Sequence, residues 1–340
     1  MFHSLSVAAI VDETADAKSI VFDVPSALSG AFDYRAGQFL TVEVDCAGEL
    51  LRRCYSLASA PGWDRDPKVT VKRVPGGRVS KWLHDRLRVG DVLRVKGPEG
   101  RFVLDDRTAP LVLLAAGSGV TPIISIVKSA LATTLRQMTL LYANRNEASV
   151  IFRDELEALQ RAHPRRLRVI HRLDDVDGPL DDRAVARVVA EARGASYFVC
   201  GPAPFMDLVE RSARAAGVPA DRIRIERFTL ATPGGRAIPQ APVEGSEVPD
   251  EVQAELRGER RRIAYRPGQT LLQCAREAGL DAPYSCEEGF CGCCAADLVE
   301  GRVVMDADDA LSDDEKRRGI ILTCQARPVT ARCSFRFVDG

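Results

Sequence analysis

Four cysteines constrain this chain more than any other feature. Cys286, Cys291 and Cys294 follow a C-x4-C-x2-C spacing, and Cys324 comes later in Leu-Thr-Cys-Gln. That is the plant-type spacing of a [2Fe–2S] cluster: two irons need four thiolates, and one tight loop supplies three. Gly289 and Gly292 lie inside the loop. Glycine permits the positive-φ turns and close backbone approach that wrap a chain round an inorganic core. Backbone N–H groups can then point at the sulfurs and tune the potential. A zinc site usually shows two C-x2–4-C pairs or cysteine with histidine. The histidines are His3, His84, His163 and His171, none near the loop, which also sets a Rieske centre aside on this segment. Cys293 allows a second triplet on paper, Cys286, Cys293 and Cys294. The loop spacing favours Cys291 and Cys294, which leaves Cys293 in a slot suited to a small residue. Cys46, Cys54, Cys274 and Cys333 read as packing residues, since free cysteine behaves as a small hydrophobe. Ten cysteines, bunched in a chain this long, argue against a disulfide scaffold.

With 340 residues, the chain suits two or three domains. Apolar residues make up 46%, enough for a core in each. The formal net charge of -1 argues against nucleic-acid binding, which needs a basic face. No run approaches the roughly 20 apolar residues of a membrane span. The start, Met1 to Glu13, has no basic n-region, so it reads as a first β-strand rather than a signal peptide, and the expected compartment is the cytoplasm.

Three sections separate by pattern. Residues 1–107 show short alternating runs, Leu5–Val11, Ser19–Val24, Phe39–Val44, Val69–Arg73 and Val92–Val95, punctuated by Gly, Pro and Asp turns. They predict a small antiparallel β-barrel, interrupted by a helix over Val79–Leu87. Residues 108–229 alternate strand-like runs (Leu111–Ala115, Thr139–Ala143, Leu167–Ile170, Tyr197–Cys200, Ile223–Glu226) with helical ones (Thr121–Leu131, Phe152–Arg161, Asp181–Ala192, Pro204–Ala216). That alternation predicts an α/β domain with a parallel, doubly wound sheet. Residues 230–249, rich in Pro and Gly, read as a linker. Residues 250–340 carry the cysteine loop.

Candidate binding segments lie in the first two sections. Arg53-Cys-Tyr-Ser56 places an Arg that can neutralise a pyrophosphate, a Tyr that can stack on an isoalloxazine and a Ser that can bond near flavin N5. The same four residues also suit an ordinary β-strand. Gly76-Gly-Arg-Val-Ser80 leads into a helix and can cradle a phosphate, or simply cap a turn. Ala115-Ala-Gly-Ser-Gly-Val-Thr-Pro122 ends a strand and opens a helix. There Gly117 and Gly119 would let a pyrophosphate approach at the positive end of the helix dipole, although the third glycine of the Rossmann fingerprint is absent. Cys200 ends a parallel strand, where ligands bind, and also suits a core position.

Taken in order, these motifs resemble the ferredoxin–NADP reductase superfamily, in the class that joins a flavin domain, a nicotinamide domain and a C-terminal plant-type ferredoxin of β-grasp fold. Gly37-Gln-Phe39, Ser80-Lys-Trp-Leu-His84, Gly97-Pro-Glu-Gly-Arg-Phe102, Tyr142-Ala-Asn-Arg145, Ile151-Phe-Arg-Asp-Glu-Leu156 and Ile320-Ile-Leu-Thr-Cys324 extend the resemblance along nearly the whole chain. It implies that Arg53, Tyr55 and Ser56 hold the flavin and that Gly77, Val79 and Ser80 hold its phosphates. Gly117, Gly119 and Thr121 would line the nicotinamide cleft, with Asn144 and Arg145 at the end of the second strand and Cys200 near the reacting carbon. Glu226 and Phe228 match the acidic and aromatic positions beside the flavin. Relatives with FMN usually show His-Arg-Asp after the cluster loop. Here Val303-Val-Met-Asp-Ala-Asp stands in that region, which favours FAD.

The resemblance implies an enzyme that takes a hydride from NAD(P)H on FAD and releases single electrons through [2Fe–2S] to a separate protein, with Ser56, Cys200 and Glu226 at the reacting centre. The acceptor expected is a terminal oxygenase, first a Rieske-type 3-ketosteroid 9α-hydroxylase. A phenylacetyl-CoA-type di-iron oxygenase or an acyl desaturase is the alternative. A redox-sensing protein that holds the cofactors without turnover is the rival from another class. NADH is expected over NADPH, because the second strand ends in Asn144-Arg145-Asn146-Glu147, with one basic residue for a 2′-phosphate and an acid beside it.

Overall fold

A computed structural model of the chain describes residues 1–192, 194–228, 248–284, 286–289, 291–308, 310–311 and 313–337. Most of the expected linker, residues 230–247, lies outside them. The described chain forms two compact units, divided after Phe228.

The first unit opens with six strands: β1 (Phe2–Thr14), β2 (Ala17–Asp23), β3 (Phe39–Asp45), β4 (Leu50–Ser56), β5 (Lys68–Lys72) and β6 (Val92–Glu99), with α1 (Arg78–Asp85) between the last two. They pair in the order β4-β3-β6-β1-β2-β5. All neighbours are antiparallel. A lone antiparallel bridge between Leu57 and Val69 joins the two outer strands and closes the sheet into the expected barrel. Alternate residues point inward, as a period of two requires. Leu5, Val7, Ile20, Phe22, Leu40, Val42, Val69 and Val71 fill the interior. β1 runs past the expected Leu5–Val11 at both ends, because a register shift between Val7 and Ala9 lets the strand bend and keep pairing.

A five-stranded sheet follows in the same unit: β7 (Leu111–Ala116), β8 (Met138–Asn144), β9 (Leu167–Leu173), β10 (Ser196–Gly201) and β11 (Ile223–Arg227). The order β11-β10-β7-β8-β9 is all parallel and reverses at β7, the doubly wound arrangement. α2 (Val120–Thr133), α3 (Arg153–Ala162), α4 (Asp174–Asp177), α5 (Asp182–Glu191) and α6 (Ala203–Ala215) connect the strands. Helices on both faces explain why every residue of β7 and β10 is buried, and why these strands read as continuous apolar runs. Each Leu sealed there contributes about 1.5–3 kcal/mol.

The second unit holds β12 (Glu251–Leu256), β13 (Glu259–Ala264), α7 (Leu271–Glu277), β14 (Ala295–Glu300), β15 (Val303–Met305), α8 (Asp313–Arg317), β16 (Ile320–Leu322), β17 (Ala326–Pro328) and β18 (Ser334–Phe337). Its main sheet runs β13-β12-β18-β14-β16, with the central β12–β18 pair parallel and the others antiparallel. α7 starts in a Thr270/Gln273 capping box, and its Leu271, Leu272, Cys274 and Ala275 are buried in this unit's core. The cysteine loop leads from α7 into β14.

Candidate redox cleft and cluster loop

In the second unit the loop turns where the glycines stand. Gly289 has φ +82° and Gly292 φ +70°, values that suit glycine. A Cβ on Gly289 would lie 2.9 Å from Gln325 Cγ and 3.1 Å from Ala307 Cβ, so the loop packs too closely there for a side chain. Cys286, Cys294 and Cys324 are buried, and Cys291 and Cys293 are half-buried. The Cys294 and Cys324 thiols bond one another, which holds Cys294 below its ordinary value and pushes Cys324 up. Metal binding takes cysteines as thiolates, so loading the cluster would release the protons these thiols hold. Cys291 and Cys286 lie within electrostatic reach of the pair.

Three further donors face the sulfurs. The Glu288 N–H points at Cys286 Sγ and the Cys293 N–H at Cys291 Sγ, each at 3.5 Å, and Gln325 Nε2 lies 3.7 Å from Cys324 Sγ. The same Gln325 amide donates to the Glu287 carbonyl at 3.1 Å and ties the fourth cysteine to the loop. Among the described residues, no three Cys, His, Asp or Glu side chains are grouped to hold a single metal ion. A two-iron cluster asks for something else, two thiolates on each iron, and the paired thiols with aimed N–H donors fit it.

In the first unit the carboxyl ends of the parallel strands meet the barrel. Register places Cys200 of β10 between Ala115 of β7 and Glu226 of β11. Ser56 ends β4, and its Oγ donates to Glu226 Oε2 at 3.2 Å across the domain boundary. The three residues expected at the reacting centre therefore converge. Burial pushes the Glu226 carboxyl up to about 8, against the lowering by Ser56. Burial also pushes the Cys200 thiol well above its ordinary value, and Glu226 adds to this. A thiol held protonated is a poor nucleophile. Phe228 follows β11 and is exposed.

Strand alternation sets Arg53 and Tyr55 on one face of β4 and Ser56 on the other. Gly77 is the N-cap of α1, with Val79 and Ser80 buried behind it, and Ser80 Oγ accepts the Val74 N–H at 3.2 Å. Gly117 has φ +52°. Gly119 has an ordinary helical φ, but a Cβ there would overlap the Cys200 carbonyl oxygen. Its lack of a side chain thus serves packing against β10, whereas the sequence suggested room for a ligand. Thr121 is buried and bonds back to the Ser118 carbonyl at 3.0 Å. Asn144, at the end of β8, is buried beside the Tyr142 hydroxyl, and neither atom of its amide makes a well-formed hydrogen bond within the described residues. A buried amide left in this state costs about 1–3 kcal/mol. At a strand's carboxyl end it suits a group that a nucleotide satisfies.

Two residues escaped the sequence reading. Lys72, the last residue of β5, places Nζ 3.9 Å from where a Cβ of Gly117 would be, beside the candidate pyrophosphate loop. Asp16, in the β1–β2 turn, pairs with Lys72 at 3.6 Å and with the exposed Arg145 at 3.5 Å. The alternation Lys68, Thr70, Lys72 signalled a polar strand face, but only the fold shows that this face meets the second sheet.

Barrel, doubly wound sheet and cysteine loop define a flavin- and nicotinamide-dependent iron–sulfur reductase. Residues 4–104 match the oxidoreductase FAD-binding domain, 113–211 the oxidoreductase NAD-binding domain and 254–329 the 2Fe-2S iron-sulfur cluster binding domain. The chain is 44% identical to the ferredoxin reductase component of 3-ketosteroid-9-alpha-monooxygenase from Rhodococcus rhodochrous, over 98% of this chain and 96% of that one. It is 35% identical to one component of the 1,2-phenylacetyl-CoA epoxidase of Escherichia coli, over 97% and 96%. Phthalate dioxygenase reductase superposes with a TM-score of 0.63 at 26% identity, covering 99% of this chain and 98% of that one. The chain belongs to the family of oxygenase reductase components built from FAD-binding, NAD-binding and [2Fe–2S] domains. No helix among the described residues is long and apolar enough to cross a membrane.

Proposed function

We propose that the chain passes electrons from NADH to a Rieske-type 3-ketosteroid 9α-hydroxylase. When bound, FAD accepts the hydride and the [2Fe–2S] cluster carries electrons singly, the chemistry these groups supply in any such protein. The chain's own residues bind, orient and tune. In this reading Arg53 and Tyr55 hold the flavin ring and its phosphate, while Gly77, Val79 and Ser80 take the phosphates at the α1 N-terminus. Gly117 and Lys72 receive the nucleotide pyrophosphate, Thr121 lines the cleft and Asn144 takes the adenosine end. Cys200 positions the nicotinamide, Phe228 packs beside the flavin, and Glu226 with Ser56 holds a proton at the cleft. Cys286, Cys291, Cys294 and Cys324 carry the iron.

The observation that carries this reading is the Ser56–Glu226 bond beside Cys200. It joins the flavin-facing barrel strand to the nicotinamide-facing sheet end in one cleft. NADH is favoured over NADPH because Arg145 is paired with Asp16 and because Asp174, Asp175 and Glu147 crowd the ends of β8 and β9, where a 2′-phosphate would sit. A cytoplasmic setting suits ten cysteines that form no disulfide. The steroid oxygenase is favoured over an acyl-CoA one by the higher identity, 44% against 35%. Reconstitution of the purified chain with each oxygenase tests this: NADH-dependent 9α-hydroxylation of a 3-ketosteroid is expected. Turnover only with the phenylacetyl-CoA enzyme would reassign the acceptor.

A further inference from the structure

Lys128 lies two turns down α2 from the nucleotide loop, and its side chain is 0% exposed. Its ammonium meets Asp64 Oδ2 at 2.8 Å and Glu155 Oε1 at 3.0 Å. Asp64 belongs to the barrel loop before β5, Glu155 to the first turn of α3. Glu155 Oε2 also meets Lys68 of β5 at 3.3 Å. The network thus ties the barrel to two helices of the second domain.

Its members are themselves held. Asp64 accepts the Ala60 N–H at 2.7 Å. Phe152, buried with φ +60°, turns the chain into α3 so that Glu155 faces Lys128, and Lys68 stands 5.0 Å over its ring. Ser125, one turn earlier on α2, donates to the Ser59 carbonyl of the barrel at 2.5 Å. Ser59 Oγ in turn accepts from Tyr34 at 2.7 Å and from the Lys68 N–H at 2.9 Å.

Burying an ammonium is a poor way to gain stability, since apolar side chains of similar size often do as well or better. A directional ion pair can instead supply register that an apolar contact of similar size does not. α2 carries Gly119 and Thr121 at its head, about 10 Å from Lys128 at 1.5 Å per residue. A small tilt at the clamp therefore moves the nicotinamide site relative to the barrel, and displacements near 1 Å can slow a reaction about a hundredfold.

We propose that Lys128, clamped between Asp64 and Glu155, is a positioning residue that fixes the nicotinamide site against the flavin barrel for hydride transfer. This rests on the reductase reading above. The test compares Asp64→Asn and Lys128→Met with the parent holoprotein. Both variants should keep their flavin and iron and bind NAD+ within about twofold of the parent. Amide hydrogen exchange over residues 57–72 and 120–131 should quicken. Flavin reduction at saturating NADH should slow at least about tenfold. If Lys128→Met does not fold, Asp64→Asn decides alone, because that side chain sits at the partly exposed rim of the network. Unchanged hydrogen exchange, a reduction rate within about twofold of the parent, or a loss matched by lost FAD or NAD+ binding would overturn the clamp. A parent chain that NADH does not reduce would sink the reductase reading instead, and hydrogen exchange would still judge the clamp.

Discussion

Glu226 keeps a proton at a pH where an ordinary glutamate has lost it. Its value rises from 4.5 to about 8 in the fold. Between those limits the folded chain binds a proton that the unfolded chain releases, so this group's contribution to stability falls as pH rises from 4.5 towards 8 and is level above. Replacing it with Gln should flatten that slope. It should also abolish an inflection near pH 8 in the rate of flavin reduction by NADH, measured by stopped flow; an inflection that survives in Glu226→Gln would assign it to another group. At the cluster, Cys293→Ser should leave the visible iron–sulfur spectrum intact, because Cys293 offers Cys291 its backbone N–H. Cys291→Ser should lose or alter that spectrum. The reverse pattern would put the ligand at Cys293. The cluster domain was legible in advance because cysteine spacing is a local code. Asp16 and Lys72 were not: they face the cleft only once β5 and the β1–β2 turn meet the second sheet.

Elements explain which parts of the chain could be read from pattern. β7 and β10 announce themselves as apolar runs because helices cover both their faces. The alternating runs predicted the barrel but not what closes it: the bridge from Leu57, just past β4, to Val69 of β5 and the Ala58 N–H bond to the Lys68 carbonyl at 2.7 Å. Gly119 was assigned to the right turn for a different physical reason, its contact with the Cys200 carbonyl. Gly119→Ala should therefore push α2 off β10 and cost about 1–3 kcal/mol, seen as a lower Tm; an unchanged Tm would show that the turn has room. In the proposed reading the ends of β8 and β9 decide the nucleotide. kcat/KM should be higher for NADH, and Arg145→Ala should leave it within about fivefold, because an exposed ion pair such as Arg145–Asp16 is worth at most about 1 kcal/mol. A preference for NADPH that Arg145→Ala removes would reverse this.

At the scale of the whole molecule, the barrel and the doubly wound sheet share one unit, while the cysteine loop belongs to the other. That division fits the chemistry: hydride transfer needs atoms held in fixed register, whereas an electron carrier has only to come within reach of its donor and acceptor. The most direct test mixes the anaerobic holoprotein with NADH and follows flavin absorbance together with the electron paramagnetic resonance of the iron–sulfur centre. Flavin absorbance should bleach first and the signal of a reduced [2Fe–2S] centre should follow. In Cys291→Ser the bleaching should persist while that signal is lost or altered. A cluster signal that appears without flavin bleaching, or no response to NADH in either centre, would contradict electron flow from nicotinamide through flavin to iron.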